Sequence, residues 1–157
     1  AWQAGGGAVA SGAEPARFQS NFELRPPLRQ LASAADVLAA LQQPGQTLID
    51  ARGAPRYRGE VEPLDPVAGH IPGALNRPFG DNIGADGRFK PADVLRTEFE
   101  ALLAGRNAST VVHQCGSGVS ALPNMLAMEV AGLGKTTLFA GSWSEWGSDP
   151  SRPVERG

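Results

Sequence analysis

The sequence predicts an α/β domain in which a central, mainly parallel sheet is flanked by helices. Three observations carry that expectation. Short apolar and β-branched runs, Thr47–Ala51 (TLIDA), Thr110–Val112 and Thr136–Phe139 (TTLF), alternate with segments of helical periodicity. The stretch Thr110–Ala121 (TVVHQCGSGVSA) reads as a buried strand that runs into a tight glycine-bearing loop and then a helix. A chain of 157 residues is also long enough for one domain with a real core.

Taken in order, Ala1–Gly12 (AWQAGGGAVASG) is small and glycine-rich, which suits a linker or a frayed end better than a packed element. Phe22–Gln30 (FELRPPLRQ) reads as a short edge strand, because Pro26 and Pro27 cannot donate to a central ladder. Ser33 looks like the N-cap of a helix through ADVLAALQQ, with Val37, Leu38 and Leu41 on one face, and Pro44-Gly45 ends it. The buried strand Thr47–Ala51 follows. An acidic, proline-bearing loop, Gly59–Ala68, leads to a turn at Pro72-Gly73 and a short strand Ala74–Asn76. Pro91 and Asp93 open an amphipathic helix with Val94, Leu95, Phe99, Leu102 and Leu103 inward. After the central strand comes a helix within Val119–Gly132. Pro123 fits there only in the first turn, so the helix begins close to Val119. Leu122, Met125, Leu126, Val130 and Leu133 form its expected inward stripe, with Met125 and Met128 as core filling. Thr136–Phe139 is the last strand, and Gly141-Ser142-Trp143 starts a turn into the C-terminal segment.

Composition excludes several functions. A net charge of −2 offers no basic surface for nucleic acid. No apolar run approaches the ~20 residues of a membrane span, and the N-terminus has neither the basic segment nor the apolar core of a signal peptide. One cysteine cannot form an internal disulfide, so a reducing, cytoplasmic setting is expected.

That cysteine, Cys115, stands at the strand–loop junction. By residue type alone a lone cysteine reads as a small buried hydrophobe. Its neighbours argue otherwise, because glycine in a regular element costs about 0.5–1 kcal/mol relative to alanine and a core has no need of Gly-Ser-Gly. Gly116 and Gly118 let successive N–H groups of Gly116, Ser117, Gly118, Val119 and Ser120 turn toward the sulfur. Amide donors and a helix N-terminus are surroundings that lower a thiol pKa from about 8.5 to roughly 3.5–7.5. Cys115 is therefore the candidate nucleophile. Asp50 and Arg52 sit at the carboxyl end of their strand, where open α/β sheets place ligand crevices. The pair reads first as a structural clamp supporting the next loop. His70, between Gly69 and the Pro72-Gly73 turn, reads as a hydrogen-bonded structural group, and Trp143 and Trp146 read as packing anchors. Neither His70 nor His113 has a further ligand cluster, so no metal and no organic cofactor is expected.

HQCGSGVSA at His113–Ala121 resembles the active-site loop of the rhodanese superfamily of sulfurtransferases. The other landmarks follow in the family's order over roughly residues 28 to 155. They are LIDAR (Leu48–Arg52), RYRGE (Arg56–Glu60), GHIPGALN (Gly69–Asn76) and AGSWSEWGSDPSRPV (Ala140–Val154). The resemblance implies a rhodanese-like three-layer fold and a Cys115 persulfide that carries sulfur from thiosulfate or 3-mercaptopyruvate to a thiol or cyanide acceptor. It gives Arg56 the role of the substrate-facing arginine, and it gives Tyr57 and Arg58 no role, one packing and the other solvated. AWQAGG looks like the Trp-containing end of a preceding rhodanese-like domain. Residues 1–24 are then the end of that domain and a linker, and residues 25–157 the C-terminal catalytic domain of a two-domain protein. CGSGV followed by a hydroxyl residue is similar to the mercaptopyruvate branch, in which the serine matching Ser117 acts with a histidine and an aspartate of the other domain. Asp65, however, stands about where that branch carries a second arginine. Two alternatives share the fold. A non-catalytic binding or regulatory module is one. A rhodanese-fold phosphatase is the other, and it lacks its arginine clamp, since the residue six after Cys115 is Ala121.

Overall fold

A computed structural model describes residues 2–157, so the reading of Ala1 as linker lies outside the described residues. Five strands form one sheet in which every pairing is parallel: β1 (Leu31–Ala32), β2 (Thr47–Asp50), β3 (Leu75–Asn76), β4 (Val111–Gln114) and β5 (Thr137–Phe139). Their spatial order is β1-β5-β4-β2-β3, which puts β4, the strand that ends before Cys115, at the centre. The helices are α1 (Ala34–Ala39), α2 (Ala54–Tyr57), α3 (Ala92–Leu103), α4 (Ala121–Val130) and α5 (Ser142–Gly147).

Strand alternation divides the core into two layers. Leu48 and Val112 point to one face and pack with Val37 of α1, Ile71, Phe139, Trp143 and Trp146. Ile49 and Val111 point to the other and pack with Leu95 and Phe99 of α3 and Ala127 and Met128 of α4. The result is the three-layer arrangement with helices on both faces. Trp143 and Trp146 are fully buried. Their indole N–H groups donate to Val67 O and Pro153 O at 2.9 Å, as packing anchors should.

Several elements differ from the sequence reading. Phe22–Gln30 forms no strand; Gln30 contributes only its carbonyl, to Leu138 N at 3.1 Å, and the edge strand is Leu31–Ala32. Two consecutive prolines leave that earlier segment without N–H groups where a ladder would need them. Ser33 does cap α1, in a reciprocal box with Asp36, but Leu38 is 42% exposed and only Val37 and, in part, Leu41 face the core. Val94 of α3 is likewise turned outward. The C-terminal turn is a helix, α5.

The largest correction concerns α4. Pro123 lies in its first turn as expected, and Met125 and Met128 are buried, yet Leu122, Leu126 and Val130 face outward. The inward face is Ala121, Asn124, Met125, Ala127 and Met128. Asn124 sets this phase. Its amide donates to Arg77 O at 2.9 Å and its carbonyl accepts from Asn82 at 2.5 Å, while Arg77 donates to Asn82 at 2.9 Å. A buried amide that satisfies two neighbours outweighs a leucine stripe, because leaving it unpaired costs about 1–3 kcal/mol. The small Ala121 and Ala127 complete the contact with the sheet.

Candidate active site

Cys115 follows β4 at the carboxyl edge of the sheet, 2% exposed and packed against Ala51 and Ala121. Four hydrogen bonds fix its surroundings. Cys115 N donates to Ser142 Oγ at 3.1 Å, and Ser142 Oγ donates in turn to Phe139 O at 2.9 Å. Trp143 N donates to Cys115 O at 3.0 Å and Ser144 N to Gly116 O at 2.9 Å. The start of α5 thereby clasps the start of the cysteine loop. Gly118 has φ +83°, and a Cβ there would lie 2.4 Å from Ala140 O, so the loop's return over β5 demands glycine.

The backbone N–H groups of Gly116, Ser117, Gly118, Val119 and Ser120 donate to no protein acceptor among the described residues. Ser120 adjoins the first turn of α4, and its side chain makes no capping bond. Five consecutive amide donors thus stand between Cys115 and the first turn of α4, whose Ala121 packs against the cysteine. Ser117 and Ser120 line a cleft of about 250 Å³ with Cys115. Arg52, Arg56, Asp65 and Phe79, from the segments that follow β2 and β3, form another wall of it.

That wall is an ion network. Arg52 donates from Nε and Nη2 to Asp50, with Nη2 at 2.6 Å, and Nη2 also reaches Gly69 O at 2.7 Å. Its guanidinium lies 4.7 Å from the centre of the Trp143 ring system. Asp50 and Arg52 thus form a buried ion pair tied to Gly69, and Arg52 also touches the cleft. Arg56 donates from Nε (3.2 Å) and Nη2 (2.6 Å) to Glu62, and from Nη2 to Asp65 at 3.1 Å. Glu62 accepts further bonds from Arg52 and from the N–H groups of Leu64 and Asp65. Burial pushes the Glu62 carboxyl up, but the Arg56 bond and the two backbone bonds outweigh it and hold the group below the ordinary carboxylate range.

Arg58, by contrast, pairs with Glu60 in solvent, and Tyr57 packs, donating to Ala74 O at 2.6 Å and stacking on His70 at 3.8 Å. His70 is structural, with Nδ1 2.8 Å from Tyr57 O, and it does not line the cleft. His113 lies on β4 with both ring nitrogens unpartnered among the described residues, and burial lowers its pKa to about 3. Among the described residues no three or more His, Cys, Asp or Glu side chains gather where they could hold a metal ion. Sequence reasoning missed Glu62 and the bridging hydroxyl of Ser142. The signal for Glu62 was the run GEVEPLDP beside Arg56, which read only as an acidic loop.

Comparison with known proteins completes the description. A family model described as "Rhodanese-like domain" matches residues 33–149. A Pseudomonas aeruginosa protein named "Probable 3-mercaptopyruvate sulfurtransferase" is 51% identical over 157 residues, covering 100% of this chain and 55% of that one. A Mycobacterium tuberculosis protein provisionally named a thiosulfate sulfurtransferase is 43% identical over 162 residues, again covering 100% of this chain and 55% of the other. Among solved structures, the complex of EanB/Y353A with ergothioneine superposes with a TM-score of 0.80 at 24% identity, covering 99% of this chain and 39% of that one, a likeness of fold. The chain spans about half the length of the curated relatives it matches.

Proposed function

The chain belongs to the rhodanese-like domain family, and from that premise we propose that it is the sulfur-carrying, C-terminal catalytic part of a sulfurtransferase. The observation that carries the reading is the placement of the chain's only cysteine, beside a cleft at the end of the central strand and followed by five residues whose amides donate to no protein acceptor among the described residues. The names of the relatives at 51% and 43% identity point to the same chemistry, and they differ on the donor.

In the proposed reaction the Cys115 thiolate attacks the outer, sulfane sulfur of thiosulfate, breaking its S–S bond, or the thiol sulfur of 3-mercaptopyruvate, breaking its C–S bond. A sulfur–sulfur bond forms, and the electron pair of the broken bond leaves with sulfite or with the pyruvate carbanion, which takes up a proton. The persulfide anion is stabilised by the N–H groups of Gly116 to Ser120 and by the N-terminus of α4. An acceptor thiol or cyanide then attacks the outer sulfur and returns Cys115 as thiolate. Arg56 is assigned to the donor's anionic end, and Asp50 and Arg52 support the wall behind it. None of these steps calls for a metal or an organic cofactor.

Residues 25–157 would be the catalytic domain, and residues 1–24 the connection to a preceding rhodanese-like domain of a protein placed in the cytoplasm. No helix among the described residues is long and apolar enough to cross a membrane. That preceding domain is proposed to supply the histidine and aspartate that act with Ser117, since no histidine lines the cleft. General acid–base help is typically worth about 10²–10⁴-fold. Steady-state turnover with each donor should therefore be slow for this chain and rise by about that factor when the preceding domain is joined to it. Equal turnover with and without it would refute the shared site.

A further inference from the structure

We infer that Asp65 sets donor specificity by charge, so that the cleft favours donors carrying at most one negative charge over a dianion such as thiosulfate. This rests on the sulfurtransferase reading and names the substrate class of the same site. The first observation is how Arg56 is already engaged. One edge of its guanidinium, Nε with Nη2, lies on Glu62, and Nη2 is shared with Asp65. Among the described residues only Nη1 has no protein partner, and it faces the cysteine loop, 3.4 Å from where a Cβ on Gly116 would lie. The two-pronged grip by which arginine holds a carboxylate or sulfonate is therefore closed off on the cleft side.

The second observation separates the two acids. Glu62 accepts five hydrogen bonds, from Arg52, from Nε and Nη2 of Arg56, and from two backbone N–H groups, so it cannot swing away. Among the described residues Asp65 accepts a single one, from Arg56, and it lines the cleft. An arriving anion must displace Asp65 or sit beside it. The third observation is the local balance of charge. Arg52 and Arg56 are ion-paired with Asp50, Glu62 and Asp65, two cations against three anions, and of these acids Asp65 alone lines the cleft among the described residues, so the network leaves no positive charge to spare and presents the Asp65 carboxylate to a donor. Repulsion scales with the charge of the donor, so a dianion loses twice the logarithmic amount that a monoanion does.

The test is the second-order rate at which the Cys115 thiolate of the intact chain takes sulfur, releasing sulfite from thiosulfate or pyruvate from 3-mercaptopyruvate, followed by mass under single-turnover conditions. Asp65→Asn should raise the thiosulfate rate about tenfold and the 3-mercaptopyruvate rate only about threefold, the square relation that charge demands. Glu100→Gln, the same change of net charge at a residue that does not line the cleft, should leave the ratio of the two rates as it is. A measurement on the unaltered chain guards against misfolding of the variant. Raising ionic strength from about 20 mM to about 200 mM should shift the ratio toward thiosulfate, as screening removes the repulsion. A ratio unmoved by salt, or moved equally by Asp65→Asn and Glu100→Gln, overturns the inference while the persulfide chemistry stands. If no donor loads Cys115 in any of the proteins, the sulfurtransferase reading itself fails and this inference with it.

Discussion

Arg56 and Arg58 are two positions apart and have opposite surroundings. Arg58 pairs with Glu60 in solvent, an ion pair of a kind that contributes little to stability. Arg56 has a side chain only 21% exposed, and it links Glu62 and Asp65 while one nitrogen faces the cysteine loop. Lysine in its place keeps the charge but cannot hold Glu62 and Asp65 and at the same time present a further N–H toward the cysteine loop. Arg56→Lys should therefore raise the apparent KM for 3-mercaptopyruvate by about threefold to tenfold and lower stability by about 1–2 kcal/mol, because Glu62 loses one of its charge-assisted bonds. Arg58→Lys should change either quantity within error. Kinetics and urea denaturation of the two variants side by side check the contrast, and similar behaviour would mean that the wrong arginine has been assigned. Arg56 could be picked out from the residues, since its offset from Arg52 and its aromatic neighbour carry the resemblance. Its attachment to Glu62 could not, because that contact depends on how the loop Gly59–Ala68 folds back.

At the scale of the element, the strand–loop–helix from Val111 to Val130 depends on one backbone conformation. Gly118 holds φ +83° with Ala140 O 2.4 Å from where a Cβ would stand. Gly118→Ala should cost about 1–3 kcal/mol in thermal or urea unfolding and should slow persulfide formation, since the amides on either side shift with the loop. Unchanged stability would show that the loop has room to move. The strands β2, β4 and β5 were legible because TLIDA, TVV and TTLF are short apolar or β-branched runs bounded by turn residues, whereas β1 at Leu31–Ala32 was not. The rotation of the helices was not. In α4 a leucine stripe and a face bearing Asn124 compete, and the winner depends on Arg77 and Asn82, which are distant in sequence and meet only in the fold. Leu38 of α1 erred for a simpler reason: α1 is only Ala34–Ala39, too short for an apolar stripe to bury more than one or two residues.

For the whole molecule, the two core layers meet at the central strand, and His113 sits within it. Burial holds its pKa at about 3, against about 6.5 in an unfolded chain. The unfolded state therefore binds a proton that the folded state refuses. His113's contribution to stability is complete above pH 6.5 and is lost as pH falls from 6.5 toward 3, by roughly 2 kcal/mol at pH 5. Glu62, held below the ordinary carboxylate range, contributes above that range and loses its share only at lower pH. Urea denaturation at pH 7 and pH 5 should show that difference in the unaltered chain and little of it in His113→Leu; an equal loss in both would place the acid sensitivity elsewhere. The central claim is that this fold exists to carry sulfur on Cys115, and the single cysteine makes the decisive measurement simple. The chain is exposed to 3-mercaptopyruvate, freed of donor, and weighed intact, alongside Cys115→Ser. The expected result is one added sulfur atom on the unaltered chain, removed by a thiol acceptor, and none on the variant. An unaltered chain that gains no sulfur from either donor, or a serine variant that still transfers it, would contradict the claim.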